Sequence, residues 1–496
     1  MKVKKLLALT LCAASILTCA SCGSTTTSSG ETATLKYMMP GPGKQADSDR
    51  VWEAFNEKLH EKLPNVTVEF EIIPLSDYSQ KIMLAQTAGE KIDIANTYLL
   101  DFPLEVRNGT FLQLDDLYAK YGKGIAASLP AWVLDYGKVD GKLYQIPTYQ
   151  MLMLPYSIRT QAEYADKWLD KEALKDAIEN RDTSLFPQKA YDVIEDYLAK
   201  LKENGKIQYG FDTGFNGFVS GYDMITDRYA IRQDDDECKV VYVYDTPEYK
   251  QTLARMADWY KKGYIRQDSL SATDNDQIRG EMDGMTVWSG QTEPGLVEKM
   301  AARGKDLYEQ WIDLDYYIPM INEAAGTGIF ANTKYPEQAM QFLDLLQSDK
   351  ELYNMLVFGL EGEHYTKTGE NEITTLSKKM PTSSDKYGLY SWIVGNTSLR
   401  YDWDVQTKEY NDWCFNQINK SENRSKLIGF VPELSKLSTK LAQIKSLKSE
   451  YMASLVSGSL PNWEERYNEW MTKIDIAGNE EIIQELQKQV DEFLKK

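Results

Sequence analysis

Histidine is nearly missing from this 496-residue chain, occurring only at positions 60 and 364. That scarcity removes most zinc sites and any Ser or Cys triad that needs a well-placed imidazole base. Cysteine is sparse too. Three of the five cysteines fall within the first 22 residues, which leaves Cys238 and Cys414 in the body. Two thiols in so long a body are not a disulfide framework, although a single bridge between them stays open. Basic charge is in deficit: 56 Lys and Arg stand against 75 Asp and Glu, a net charge of −19. Nucleic-acid binding needs basic patches to displace counterions, and anionic membrane surfaces recruit polybasic segments. Neither role suits this balance, whose simplest consequence is solubility. Beyond the first residues no apolar run approaches the ~18 residues of a membrane span. G-x-S-x-G, H-E-x-x-H and a phosphate-binding glycine loop are absent as well. Acid pairs alone do not indicate a glycosidase, because 75 carboxylates meet often by chance. Asp274 to Gly280 begins like a calcium loop, but Ile278 stands where an oxygen ligand is required. Asp234 to Glu237 reads as a solvated loop. No metal, no cofactor and no catalytic residue is expected.

What is present begins at the N-terminus. Lys2, Lys4 and Lys5 precede an uncharged apolar run from Leu6 to Leu17. A stretch of about 12 residues suits a signal peptide and is too short to span a bilayer. Ala20 and Ser21 then lead into Cys22, followed by Gly23 and Ser24, which resembles a lipobox whose cysteine carries the lipid. Cys19 stands where such boxes usually carry Leu, and is itself the second choice of lipidated residue. An ordinary cleaved signal peptide is the plainer alternative. Residues 1–21 are therefore expected to be removed, and 22–32 (rich in Ser, Thr and Gly) to form a flexible tether. A lipid and a tether describe a body anchored outside the cytoplasmic membrane.

The body alternates. Leu35 to Met38 reads as a strand, and Trp52, Phe55 and Leu59 mark a helix face. Val66 to Ile72 alternates as a half-buried strand, a helix carries Ile82 and Ala85, and Ile92 to Ile94 is a short buried strand. Such alternation predicts an α/β body with a largely parallel sheet. Met151 to Tyr156 reads as a further strand opening a second α/β region, with helices near Tyr191–Leu201 and Tyr249–Tyr260 and a strand at Gly284–Trp288. A helix over Pro336–Gln347 follows. From Pro432 apolar residues recur every three or four positions, which predicts a helical layer rather than a partner-binding helix.

Several stretches together resemble the extracellular solute-binding lipoproteins of carbohydrate-uptake ABC transporters. They are Trp52–Asn56, Lys91–Thr97 with Gly109–Asp115, Asp140–Pro147, and Asn332–Leu352. Phe358–Tyr365 and Trp392–Asn396 resemble segments of one branch of that family. The resemblance implies two α/β lobes joined by crossover strands, with solute held in the cleft between them. It implies a first lobe of 33–150 and 323–365, and a second of 151–322 and 366–496 that includes the C-terminal helices. It also implies a monomer that binds a carbohydrate, an oligosaccharide by expectation, and hands it to permease subunits without acting as an enzyme. A peptide or other polar solute is the alternative ligand, and a glycoside hydrolase the alternative activity.

Sugars offer hydroxyl rims and weakly apolar C–H faces, so binders supply aromatic platforms and polar side chains. With 32 Tyr, 14 Phe and 11 Trp, the chain has platforms to spare. Ligands in open sheets lie beyond the carboxyl ends of strands. That rule selects Met39 and Gly41, Tyr98 and Asp101, Tyr149 and Gln150, Gly214 and Phe215, and Trp288 with Thr292. Trp288 is the first choice, since the family carries a cleft tryptophan in a comparable segment. Glu361, His364, Trp392, Asn396 and Arg400 complete the expected site.

Overall fold

The structure is a computed structural model and describes residues 32–153, 156–208, 210–212, 220–271, 284–289, 306–312, 317–320 and 325–495. The signal segment and Cys22 lie outside these residues. The main strands, in chain order, are β1 Ala33–Gly41, β2 Val66–Pro74, β3 Ile94–Asn96, β4 Gln145–Pro147, β5 Tyr156–Gln161 and β6 Gly210–Asp212. They continue as β7 Tyr222–Thr226, β8 Tyr229–Arg232, β9 Val241–Tyr242, β10 Gly284–Ser289, β11 Leu307–Trp311 and β12 Gly326–Ile329. The main helices are α1 Ser48–His60, α2 Tyr78–Ala88, α3 Gln188–Glu203, α4 Pro247–Lys261 and α5 Pro336–Ser348. After them come α6 Lys350–Phe358, α7 Lys408–Asn416, α8 Ser438–Val456, α9 Trp463–Ile476 and α10 Asn479–Leu494.

The N-terminal alternation folds as its periodicity dictates. β1 and β2 pair in parallel from Ala33↔Val66 to Gly41↔Pro74, and β3 joins β1 at Tyr37↔Ile94. α1 crosses between β1 and β2 and buries Val51, Phe55 and Leu59, four residues apart, against Phe70 and its neighbours. Among the described residues the first sheet has the order β2-β1-β3-β12-β4. β12 is antiparallel to both β3 and β4, so the sheet is mixed rather than largely parallel. The reason is that β12 arrives late in the chain, returning through a crossover instead of a strand–helix–strand turn.

A second sheet has the order β11-β5-β10-β6. It packs on α3 and α4 through Ile158, Met285, Tyr197 and Trp259. The expected strand from Met151 starts only at Tyr156; Met151 and Met153 are buried against α7 instead. The short sheet β9-β8-β7 forms a third core with α4, α8, α9 and α10. α10 contributes Ile482, Leu486 and Val490 at a four-residue spacing, and the rings of Tyr451 and Trp470 stack at 6.2 Å. The expected helical layer is thus the cover of this third core. Residues 366–405, expected with the second lobe, send Ile373, Leu389, Val394 and Trp403 into the core of the first sheet. Cys238 and Cys414 are both buried and free. Among the described residues no helix is long and apolar enough to cross a membrane.

Candidate functional site

The carboxyl ends of β3 and β4 carry the first half of the site. Asn96 is fully buried; its Oδ1 accepts from the Tyr98 amide at 2.9 Å and its Nδ2 donates to the Ile393 carbonyl at 2.9 Å. The Thr148 hydroxyl donates to that same carbonyl at 3.2 Å. Two strand ends therefore stitch the 391–396 loop to the sheet. The result is an aromatic group. The rings of Tyr98 and Trp392 meet edge to face at 5.0 Å, and Tyr390 stacks on Trp392 at 6.1 Å. All three are half-buried, which leaves ring surface open to a solute.

The second half lies on the second sheet. Backbone register sets Trp288 of β10 opposite Ser157 of β5, and Ser157 opposite Trp311 of β11. Trp311 and Trp413 of α7 lie 5.2 Å apart, both half-buried. Among the described residues the buried indole Nε1 of Trp311 has no hydrogen-bond partner, a state that costs roughly 1–3 kcal/mol unless something fills it. One row below, Arg159 and Glu309 form a buried ion pair at 2.8 Å, and the Ser157 hydroxyl donates to the same carboxylate at 2.6 Å. This network fixes β5 against β11.

α7 joins the halves. Trp413 and Phe415 are two residues apart, so they leave the helix roughly 200° from each other. Trp413 reaches Trp311, and Phe415 reaches Tyr149 at 5.3 Å. Tyr149 is tied to the first-sheet loop, donating its amide to Gly395 at 3.0 Å and accepting from the Thr397 amide at 2.8 Å. Burial raises its phenol pKa above the usual value. Just after α7, Asn419 clamps the crossover, donating to the Gln150 carbonyl at 2.7 Å and accepting from the Leu152 amide at 3.0 Å. The Gln150 Oε1 is buried and unpartnered, a second unused polar atom beside this helix.

Other expected residues support the fold around this region. Met39 is buried, and a Cβ on Gly41 would come 2.7 Å from Ile72, so Gly41 meets a packing need. Asp101 caps the helix Phe102–Arg107 through the Leu104 amide at 3.2 Å. Glu361 is exposed and pairs with Lys367 at 2.9 Å. His364 is buried, accepting from the Leu360 amide at 3.0 Å while its Nε2 meets Asp47 at 3.1 Å. Asn396 donates to the Gln347 carbonyl at 3.0 Å, and Arg400 donates to the Ser391 hydroxyl at 3.1 Å. Gly214, Phe215 and Thr292 lie outside the described residues, as does the side chain of Trp288. Sequence reading passed over Tyr390, Trp311 and Trp413. The W-x-x-G-N segment pointed within two residues of Tyr390; nothing local marked the other two. A separate cavity of about 540 Å³ opens between the start of α3 and α4, and none of these aromatics lines it.

Residues 51–357 match the family described as bacterial extracellular solute-binding protein. The chain belongs to this family. Residues 426–495, the helical cover of the third core, match a domain of unknown function (DUF3502). A curated relative from Streptococcus pneumoniae, a carbohydrate ABC transporter substrate-binding protein, is 23% identical over 483 residues, or 94% of this chain and 92% of that one. Among solved structures, the N-glycan transport solute binding protein NgtS from Streptococcus pneumoniae is similar with a TM-score of 0.77 at 22% identity, covering 93% of this chain and 99% of that one. NgtS in complex with Man1GlcNAc matches with a TM-score of 0.66 at 22% identity, covering 93% and 100%. An extracellular solute-binding protein from Bifidobacterium longum subsp. infantis matches with a TM-score of 0.63 at 17% identity, covering 95% and 100%. This solute-binding protein therefore has the two-lobed α/β fold of its relatives.

Proposed function

We propose that this protein captures an oligosaccharide between its two sheets and delivers it to the permease of an ABC importer. The observation that carries the reading is the pair of aromatic groups, Tyr98–Trp392–Tyr390 and Trp311–Trp413, joined by one helix. Flat rings suit the C–H faces of pyranoses, and unused polar atoms at Trp311 and Gln150 suit their hydroxyls. The carbohydrate-linked name of the pneumococcal relative supports the same ligand class. Trp288 remains a proposed contact, its backbone standing opposite Ser157, which stands opposite Trp311. Asp101, Gly41, Gly214, Phe215 and Thr292 stand as further contacts at strand ends; Asn396 and Arg400 brace the loop that carries Trp392, and Glu361 and His364 bond to Lys367 and to Leu360 and Asp47.

The same reading holds that the protein is lipidated at Cys22, works as a monomer on the outer face of the cytoplasmic membrane, and turns over nothing it binds. Thermal-shift screening of the secreted body against glycans, peptides and amino acids tests the ligand class, because a native-state ligand raises the melting temperature by mass action. Stabilisation by oligosaccharides alone supports the proposal. Stabilisation by peptides alone overturns it, and hydrolysis of a bound glycan overturns the non-enzymatic part.

A further inference from the structure

Asp223 is a carboxyl group on β7 that solute binding does not use. It is fully buried, yet its partners come from outside its own sheet. Oδ1 accepts from the Met320 amide at 3.0 Å, and Oδ2 accepts from the Tyr317 hydroxyl at 3.1 Å. The Met320 amide also reaches Oδ2, at 3.2 Å, so one donor spans both oxygens. Among the described residues no Lys, Arg or His is its partner; the donors are all neutral.

The segment it grips is the crossover leading back to β12. Ile318 donates to the Asn423 carbonyl and accepts from the Ser425 amide, both at 2.9 Å. The Tyr136 hydroxyl donates to the Pro319 carbonyl at 2.8 Å. Ile318 packs in the core of the first sheet, and Met320 packs in the third core with α8 to α10. Three residues of chain thus run from one core to another. The Met320 amide, on the far side, has Asp223 as its acceptor.

We propose that Asp223 is a proton-controlled latch on this crossover: protonated, it holds residues 317–320 against β7, and ionised, it releases them. Neutral donors offset only part of the cost of burying a charge. Desolvation accordingly pushes the carboxyl pKa from 3.8 up to about 7. Above that, the ionised group gains by reaching water. β7 is held in a ladder by β8, so the wall that can yield is the crossover segment.

Tyr317 and Tyr136 are phenols held above their ordinary value by burial, and Cys238 is a thiol pushed up by burial. Arg424, bridged to Ile318, lies over the Trp132 ring at 4.3 Å, and Asp135 adjoins Tyr136. Lys426 pairs with Asp236 at 2.6 Å, which favours the charged form of both; Asp235 completes the acidic side near Cys238.

The sign follows from linkage. The folded state retains a proton that the unfolded chain releases above about pH 4. Stability from this group is therefore greatest below that pH, falls as pH rises towards about 7, and then levels off.

Hydrogen exchange of peptides covering 317–320, in the full secreted body without solute, reads the latch directly. After correction for intrinsic rates, protection should fall about tenfold or more between roughly pH 5.5 and 8.5. The permanently neutral Asp223→Asn should keep its protection across the range. Asp223→Ala, with no acceptor, should be poorly protected throughout. A flat wild-type profile overturns the latch whether or not the variants fold, and so does an Asp223→Asn profile that tracks wild type. Because no solute is present, failure here is separate from failure of the carbohydrate assignment.

Discussion

Trp392 is the residue on which the proposed recognition rests most directly. Its ring is held between Tyr98 and Tyr390 by backbone contacts of its neighbours, not by its own burial. Trp392→Ala should thus weaken oligosaccharide binding by about 1–3 kcal/mol, read by calorimetry, with the unfolding midpoint nearly unchanged. Equal losses of affinity and stability would mark it as a core residue instead. His364 should behave in the opposite way. It lies against Gly359, fills a buried position and satisfies the Leu360 amide, so His364→Ala should cost about 1–3 kcal/mol of folding stability in denaturant while affinity holds. Loss of affinity without loss of stability would return His364 to the binding site. Tyr98 and Trp392 were legible in the sequence because each follows a recognisable motif. Trp311 and Trp413 were not, since their meeting depends on the register of β11 with β5 and on where α7 docks, neither of which is a local property.

Elements were legible where their burial is periodic. α3, α4 and α5 appear within three residues of the positions their apolar spacing predicts, α1 contains its expected face, and β2 shows the alternation that marks a half-buried strand. The stretch 366–405 has no such period. Long-range polar contacts place it instead, among them Asn354 to the Leu399 carbonyl and the Tyr401 amide, and Asn371 to Asp402. The mixed pairing of the first sheet was likewise hidden, because strand direction depends on the return path of the chain. At the second sheet, Arg159 and Glu309 are almost fully buried, at 2% and 6% side-chain exposure. Glu309→Gln takes the Glu309 carboxylate away from a buried guanidinium and should destabilise the body by about 3–5 kcal/mol in denaturant unfolding. A change below about 1 kcal/mol would mean that the pair does not hold β5 to β11.

Among the described residues, the three largest hydrophobic cores belong one to each of the three larger sheets. A ligand that contacts Trp392 on one sheet and Trp311 on another binds best when the sheets approach, and so selects the closed arrangement. Small-angle scattering should accordingly show a smaller radius of gyration with saturating oligosaccharide; an unchanged profile at saturation would contradict closure. The most direct test of the central claim is calorimetric titration of the secreted body with a panel of oligosaccharides, mannose–N-acetylglucosamine glycans included. At least one should bind saturably and be recovered intact, with the heat largely lost in the Trp392→Ala, Trp311→Ala double variant. Full-strength binding by that folded double variant, or no binding of any glycan while a peptide binds, would contradict the claim.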